Sequence, residues 1–313
     1  MLNKKVVRAI WSIKAFKSTH ILSAQPSGKQ LDQPSLQAGD VTDVPAEFVA
    51  DPFVVSHRSS FFMFFEVYNK RSGRGEIGLA TSQDGESWHY KRIVLKEDFH
   101  LSYPHVFQVN HQFYMIPETA NAGGIFLYQA TQFPFVWERA AKLLDGSYVD
   151  PSIFYYRDKW WLFAGAKNNS LRLFSARHFK DHWVEHPKSP IIVDDGQISR
   201  PAGRVIMHEG VLYRFTQNRF PYYGRMVRAF KIHHLTESAY QEEVVDVVLN
   251  GSNQDDDWHK DGMHHVDHLK ISDREWLIAV DGHVFEHQSY LLNLVKRLVR
   301  DPYLLINKIK KYL

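Results

Sequence analysis

Two acids in this chain stand in the same frame, Asp51 in VADPFVV and Asp150 in YVDPSIF. Each is followed by proline and an alternating apolar run, the opening of a β-strand. A lone acid before proline caps a turn. Two acids framed alike and far apart in sequence read instead as a pair that a repeated fold brings together. Carboxyls in unlike environments divide their labour, one held protonated while the other stays ionised. Glycosyl transfer needs that division, an acid for the leaving oxygen and a carboxylate on the attacking side. Glu66 in FFEV, Glu118 in MIPE and the arginines Arg200 and Arg204 in SRPAGR are further ionisable candidates at strand ends. An arginine fork grips a carboxylate or phosphate through two parallel hydrogen bonds.

The frame around these residues repeats. Pro52, Pro104, Pro151 and Pro201 recur about every 50 residues, the spacing of propeller blades. Each opens an alternating strand, then a short polar turn (His57 to Ser60, Asn110 to Gln112, Arg157 to Lys159, His208 to Gly210) and a second, aromatic strand. Third strands follow as EIGLA, IFLYQA, LRLFSA and MVRAFKI. The units close on an aromatic residue, Trp88, Trp137, Trp183 and Tyr240. Residues 263–282 form a fifth, less regular unit without the proline, and IWSIKAFK at 10–17 has the character of its missing third strand. These features predict an all-β, five-bladed β-propeller over residues 1–288, closed by the N-terminal strand, with a structureless stretch near 23–47. A β-sandwich is the alternative, but sandwiches do not keep an in-register multi-strand repeat.

In a propeller the start of each first strand and the end of each second strand meet at one mouth of the channel. Asp51, Glu66, Tyr103, His105, Glu118, Asp150, Arg200 and Arg204 are therefore expected there, with His264, His265 and Asp267 from the fifth unit. Such a mouth suits a polar, hydroxyl-rich ligand.

Five blades with an acid opening the first and a second acid two blades on resemble the arabinanase, levansucrase and invertase superfamily. FVADPF, FFEV, GEIGLATSQDGESW, FHLSYPHVF, YMIPE and SRPAGR resemble, more closely, the N-terminal region of glucosamine inositolphosphorylceramide transferases and its stand-alone bacterial relatives. The likeness runs from about residue 45 to residue 245. It implies a glycan-active propeller, with Asp51 as base or nucleophile and Asp150 supporting the transition state. The superfamily's general acid is usually a fourth-blade glutamate. Here that place reads SRPAGR, and Glu118 is the candidate acid. Glu66, Tyr103, His105, Arg200, Arg204, His264 and His265 are the expected substrate-binding residues. The alternative is a non-catalytic glycan-binding propeller that positions substrate for a partner glycosyltransferase.

Other features bound the reading. The chain has 313 residues, 44% hydrophobic and 14% aromatic, a net charge of +3 and no cysteine. Disulfides, thiolate metal sites and cysteine nucleophiles are excluded, and nothing in the charge calls for nucleic acid. No P-loop, dinucleotide fingerprint or nucleophile elbow occurs, and no cofactor is expected. DDDWHKDGMHHVDH at 255–268 is rich in acids and histidines. Adjacent His264 and His265 point to opposite faces if they lie in a strand, so an acidic surface loop is expected there rather than a metal. Lys14 and Lys17 interrupt the N-terminal apolar run, which argues against a signal peptide and for the cytoplasm. Residues 289–313 read as two basic amphipathic helices, suited to packing on the propeller or to peripheral contact with an anionic membrane face. SQDGESW is read as a structural turn.

Overall fold

A computed structural model describes residues 5–21, 30–252 and 254–289. The tail expected over 289–313 lies outside them but for residue 289. The chain begins with β1 (Lys5–Ser18), whose partner comes from the far end of the sequence. Blade one is β2 (Ala46–His57), β3 (Ser60–Asn69), β4 (Arg74–Ser82) and β5 (His89–Leu95). Blade two is β6 (Ser102–Val109), β7 (Gln112–Glu118), β8 (Gly124–Gln132) and β9 (Val136–Asp145). Blade three is β10 (Val149–Tyr156), β11 (Lys159–Ala166), β12 (Ser170–Ala176) and β13 (Val184–Glu185). In blade four the first strand is broken into β14 (Arg200–Pro201) and β15 (Ile206–His208), both paired to β16 (Val211–Asn218), with β17 (Met226–Leu235) and β18 (Tyr240–Asn250) outside. Blade five is β19 (Val266–Lys270), β20 (Trp276–Ser289) and β1, in that order. The result is a five-bladed propeller.

The sequence dictates the hairpins. Arg58–Ser59, Asn110–His111, Arg157–Asp158 and Glu209–Gly210 all have positive φ. Positive φ at both residues of a two-residue loop is the turn whose twist matches antiparallel strands. The closing aromatics are structural: the indole N–H of Trp88, Trp137 and Trp183 donates to the carbonyls of Gly85, Pro134 and Phe179, at 3.1, 3.0 and 3.2 Å. Each ring then packs into the seam of its own blade with a neighbour.

The core is five seams rather than one centre. Apolar clusters fill the joints between blades one and two, two and three, three and four, four and five, and five and one. The last seam depends on Ile13 and Ala15 of β1 packing with Leu277, Ala279, Val49 and Val54. Of the stretch expected to be structureless, residues 30–45 hold one short 3-10 turn, Ala38–Asp40, and Leu36 is buried where it bridges Ile13.

Candidate active site

The acid-proline steps are β-bulges. Asp51, Tyr103 and Asp150 have φ of 54°, 47° and 50°. At each the ladder skips two residues, between Ala50 and Phe53, Ser102 and His105, and Val149 and Ser152. The proline has no N–H, so no ladder hydrogen bond is lost where it sits. Bulges re-aim side chains, and each left-handed non-glycine residue costs about 1–3 kcal/mol. Part of that is offset by the preceding blade: the Asp51 N–H donates to Asp281 Oδ2 at 2.9 Å and the Tyr103 N–H to Asp51 Oδ2 at 3.2 Å.

Across the ladder, Glu66 stands opposite Ala50, Glu118 opposite Ser102, Gly165 opposite Val149 and Gln217 opposite Arg200. Asp281 is the corresponding residue of β20. The second strands thus end in one aligned column: FFEV, IPET, FAGA, FTQN, AVDG. Gln217 and Asp281 are site residues that the motif search misses, and this column is the signal that finds them.

Blades two, three and four build one half of the site. Arg200 Nε donates to Asp150 Oδ2 at 2.5 Å, and Nη2 reaches Asp150 Oδ1 at 3.3 Å and Glu118 Oε2 at 3.1 Å. Gln217 adds a hydrogen bond to Asp150 Oδ2 at 2.7 Å. Burial would raise the Asp150 pKa, but the Arg200 charge and hydrogen bonds, with one from Glu118, hold it below the usual range. For Glu118 burial wins over Arg200, and the neighbouring Asp150 adds to the rise, so its pKa stands well above normal. Burial thus favours the protonated form of Glu118, beside an Asp150 whose ionised form Arg200 favours.

Blades five and one build the other half. Fully buried Asp281 accepts the His264 Nδ1 at 2.7 Å and the N–H groups of His264 and His265 at 3.2 and 3.0 Å, all on Oδ1. Burial alone would raise its pKa, but His264 keeps it low. Burial pushes Asp51 up to about 7, opposed by His264 and reinforced by Asp281 and Asp150. Burial would lower the His264 pKa, yet Asp281 and Asp51 outweigh it and raise it. Glu66 is raised well above normal by burial, then by Asp51 and Glu118. It faces His100, whose Nε2 lies 3.5 Å away. His100 Nδ1 accepts the Gly75 N–H at 2.8 Å, which fixes the hydrogen on Nε2.

Three of the expected substrate-binding residues serve the channel interior instead. Tyr103 is fully buried, and its hydroxyl bonds Ser152 Oγ at 2.7 Å and the Gly203 N–H and carbonyl at 2.6 and 2.9 Å. His105 is stacked on Phe53 at 4.8 Å and 2% exposed. Arg204 does not join Arg200 in one clamp: it forks onto Asp267 at 2.5 and 2.9 Å and onto the Val54 carbonyl at 3.0 Å. SRPAGR thereby explains itself. Arg200 faces the mouth acids and Arg204 locks blades one and five. Gly203 (φ 137°) lets Val266 approach so closely that a Cβ would lie 1.7 Å from its carbonyl oxygen.

His264 and His265 precede β19 rather than lying in it, so strand alternation does not separate them. Both rings turn to Asp51: His264 Nε2 and His265 Nδ1 are 3.6 and 3.7 Å from Asp51 Oδ1. Residues 254–262 hold turns, with Trp258 anchored to the Leu31 carbonyl at 2.9 Å. Tyr223 is a further residue at the site, its ring centroid 5.3 Å from the Arg200 guanidinium carbon and 5.1 Å from the His264 ring.

Residues 8–283 match the family described as glucosamine inositolphosphorylceramide transferase 1, N-terminal. The chain is 35% identical over 248 residues to glucosamine inositolphosphorylceramide transferase 1 of Oryza sativa subsp. japonica, covering 76% of this chain and 33% of that protein. To the Arabidopsis thaliana protein of the same name it is 30% identical over 284 residues, covering 87% and 37%. The chain thus spans about a third of the length of these curated relatives, 33% and 37%. Among solved structures, a family 117 glycoside hydrolase from Zobellia galactanivorans shares the fold with a TM-score of 0.51 at 11% identity, over 90% of this chain and 92% of that one. An arabinanase of Bacillus subtilis does so with a TM-score of 0.51 at 13% identity, over 74% and 93%. Among the described residues no helix is long and apolar enough to cross a membrane.

Proposed function

This chain belongs to the glucosamine inositolphosphorylceramide transferase 1 N-terminal family, and from that premise we propose that its mouth takes a glycan or glycolipid and hydrolyses or transfers one glycosyl unit. The observation that carries this reading is the unlike pair under Arg200, which grips Glu118 at 3.1 Å and Asp150 at 2.5 Å while burial raises the pKa of the first and the arginine lowers that of the second. Glu118 is the more exposed of the two and serves as the acid toward a leaving oxygen. Asp150 holds that proton in place. Asp51, from the opposite half of the site, is the base or nucleophile. Glu66, Tyr223 and the His264 edge of the mouth contact the sugar.

A binding role, with catalysis left to a partner glycosyltransferase, is favoured by one feature. Blade four brings Arg200 where the resembled hydrolases bring a glutamate, and the arginine already engages both acids. A glycan and sugar-nucleotide screen separates the two readings. Under the enzymatic one, wild type converts at least one compound, and Glu118→Gln and Asp51→Asn bind it without converting it. Binding with no product from wild type supports the second role, and no binding by any variant removes both.

We also propose peripheral contact with an anionic, cytoplasm-facing bilayer through residues 289–313, which hold six basic side chains and one acid. Each basic residue near such a surface is worth about 1 kcal/mol. The full chain should sediment with anionic vesicles at low salt, and a chain stopped at Gln288 should not. Equal sedimentation would exclude it.

A further inference from the structure

Outside the mouth, one edge of blade one is hollowed into an open cavity of about 960 Å³. Its walls come from the approach to β2, the β3–β4 turn, the end of β5 and, from the β8–β9 turn, Phe135. Basic side chains line it, Arg71, Arg74, Arg92 and Lys96. Asp43, Glu76, Glu97 and Asp98 line it too. By count the charges cancel, but by partners they do not.

The acids are engaged elsewhere. Asp43 accepts the Tyr90 hydroxyl at 2.5 Å and the Ile93 N–H at 2.7 Å. Glu97 Oε1 accepts the Tyr128 hydroxyl at 2.7 Å and Arg139 Nη2 at 2.8 Å. Glu76 Oε1 accepts Asn69 Nδ2 and Ser72 Oγ, each at 3.0 Å. Asp98, an exposed residue, alone of the four has no such bond to its carboxylate among the described residues. The cations are in surplus. Among the described residues Arg71, Arg92 and Lys96 have no ion pair. Arg74 gives Nη1 to the Asp98 carbonyl, while its Nε is buried without a partner.

Several cations around a concavity focus a positive field and make a receptor for an anion. The arginine fork matches phosphate and carboxylate. Phe135 is 46% exposed and adds an apolar ring of the kind on which the flat face of a sugar rests. We propose that this cavity is a second binding site, for a sugar that carries a phosphate or carboxylate group. Arg71, Arg92 and Lys96 meet the anion and Phe135 meets the sugar ring. The site adjoins the mouth without sharing a residue with it. Gly75, next in the chain to Arg74, gives its N–H to His100 Nδ1 at 2.8 Å, and a Cβ there would lie 2.6 Å from Glu66 Oε1.

The test measures binding to the full chain by calorimetry, with glucose 1-phosphate, glucuronate, glucose and inorganic phosphate as probes. It reads no turnover and its variants lie outside the mouth, so its failure leaves the glycan reading standing. The two sugar anions should bind, more weakly as salt rises. Glucose should not bind, and inorganic phosphate should bind less tightly than its sugar ester. Arg71→Gln and Arg92→Gln, both at exposed positions, should each weaken binding about 10-fold, the worth of one hydrogen bond to a charged group. Phe135→Ala should weaken glucose 1-phosphate and leave inorganic phosphate unchanged. Lys91→Gln, exposed on β5 but outside the cavity, should change nothing. Failure of both sugar anions to bind overturns the proposal. So does binding that survives unchanged in the Arg71→Gln, Arg92→Gln double variant, which would place the anion on Arg200. Inorganic phosphate held as tightly as glucose 1-phosphate overturns it too, because no sugar is then recognised.

Discussion

Two arginine–carboxylate clusters in this propeller use the same chemistry to opposite ends. In blade four Arg214 forks onto Glu242 with both contacts at 2.5 Å, and its guanidinium carbon lies 4.4 Å from the centre of the Phe230 ring. One cation meets one acid, and Tyr240 closes the set through its hydroxyl. At the mouth, Arg200 serves two acids at once, with Asp51, Glu66 and Asp281 nearby and His264 held against Asp281. A matched buried pair has nothing left to offer a ligand. An over-acidic cluster must keep protons on some of its carboxyls, and those protons are available for transfer.

The largest expected effect is on turnover. Glu118→Gln should lower the rate of whatever glycan the screen yields by about 10²–10⁴-fold, the contribution of a general acid. Stability in urea should hardly change, because an acid in excess is removed. The contrast fails if this variant loses as much stability as one in the blade-four pair. Next comes Arg214→Ala, expected to cost about 3–5 kcal/mol in urea unfolding, because Glu242 is left without its cation. Glycan binding by this variant should equal wild type, and a change there would mean that the blades are not independent.

Acid should also act through buried histidines that belong to neither cluster. Burial, then the Arg204 charge, lowers the His105 pKa to about 3, with Asp267 opposing and His265 reinforcing. Burial, then Asp267 acting the other way, leaves His268 at about 4. Both lie below the unfolded value near 6.5. Above that pH the residues are neutral folded or unfolded. Below it the unfolded chain takes up protons that the folded one refuses, so stability falls by about 1.4 kcal/mol per pH unit for each histidine until about pH 3–4. Denaturation curves between pH 7 and 4 should show that slope, and His105→Gln should reduce it. The smallest effect is expected of Trp137→Phe, about 1 kcal/mol for the lost bond to Pro134, with no change in ligand binding.

The proline frames, hairpin turns and closing aromatics were legible in the sequence because each is a local rule repeated at a fixed interval. The gathering of Asp51, Asp150, Glu118 and Arg200 follows from strand direction alone. What spacing does not encode is depth along the channel. Tyr103 shares its frame with the two acids, yet its hydroxyl reaches across to Gly203 and is consumed there. Arg204 stands four residues from Arg200 and engages a different acid. Asp281 escaped notice because AVDG looks like an ordinary strand end, and its worth appears only when the five second strands are compared.

The ring is joined between the two ends of the described chain, with β1 lying along β20 over fourteen paired positions from Lys5↔Ser289 to Ser18↔Trp276. During synthesis β1 leaves the ribosome ahead of the four other blades and waits, unpaired, until its partner has been made; domains generally take shape as the chain emerges. The Asp281 contacts to Asp51, His264 and His265 arrive with that same last strand. An interrupted product can therefore hold four well-formed blades and still lack half of its mouth. Closure of the ring acts as a check on the propeller, and only a chain that extends through β20 carries the site.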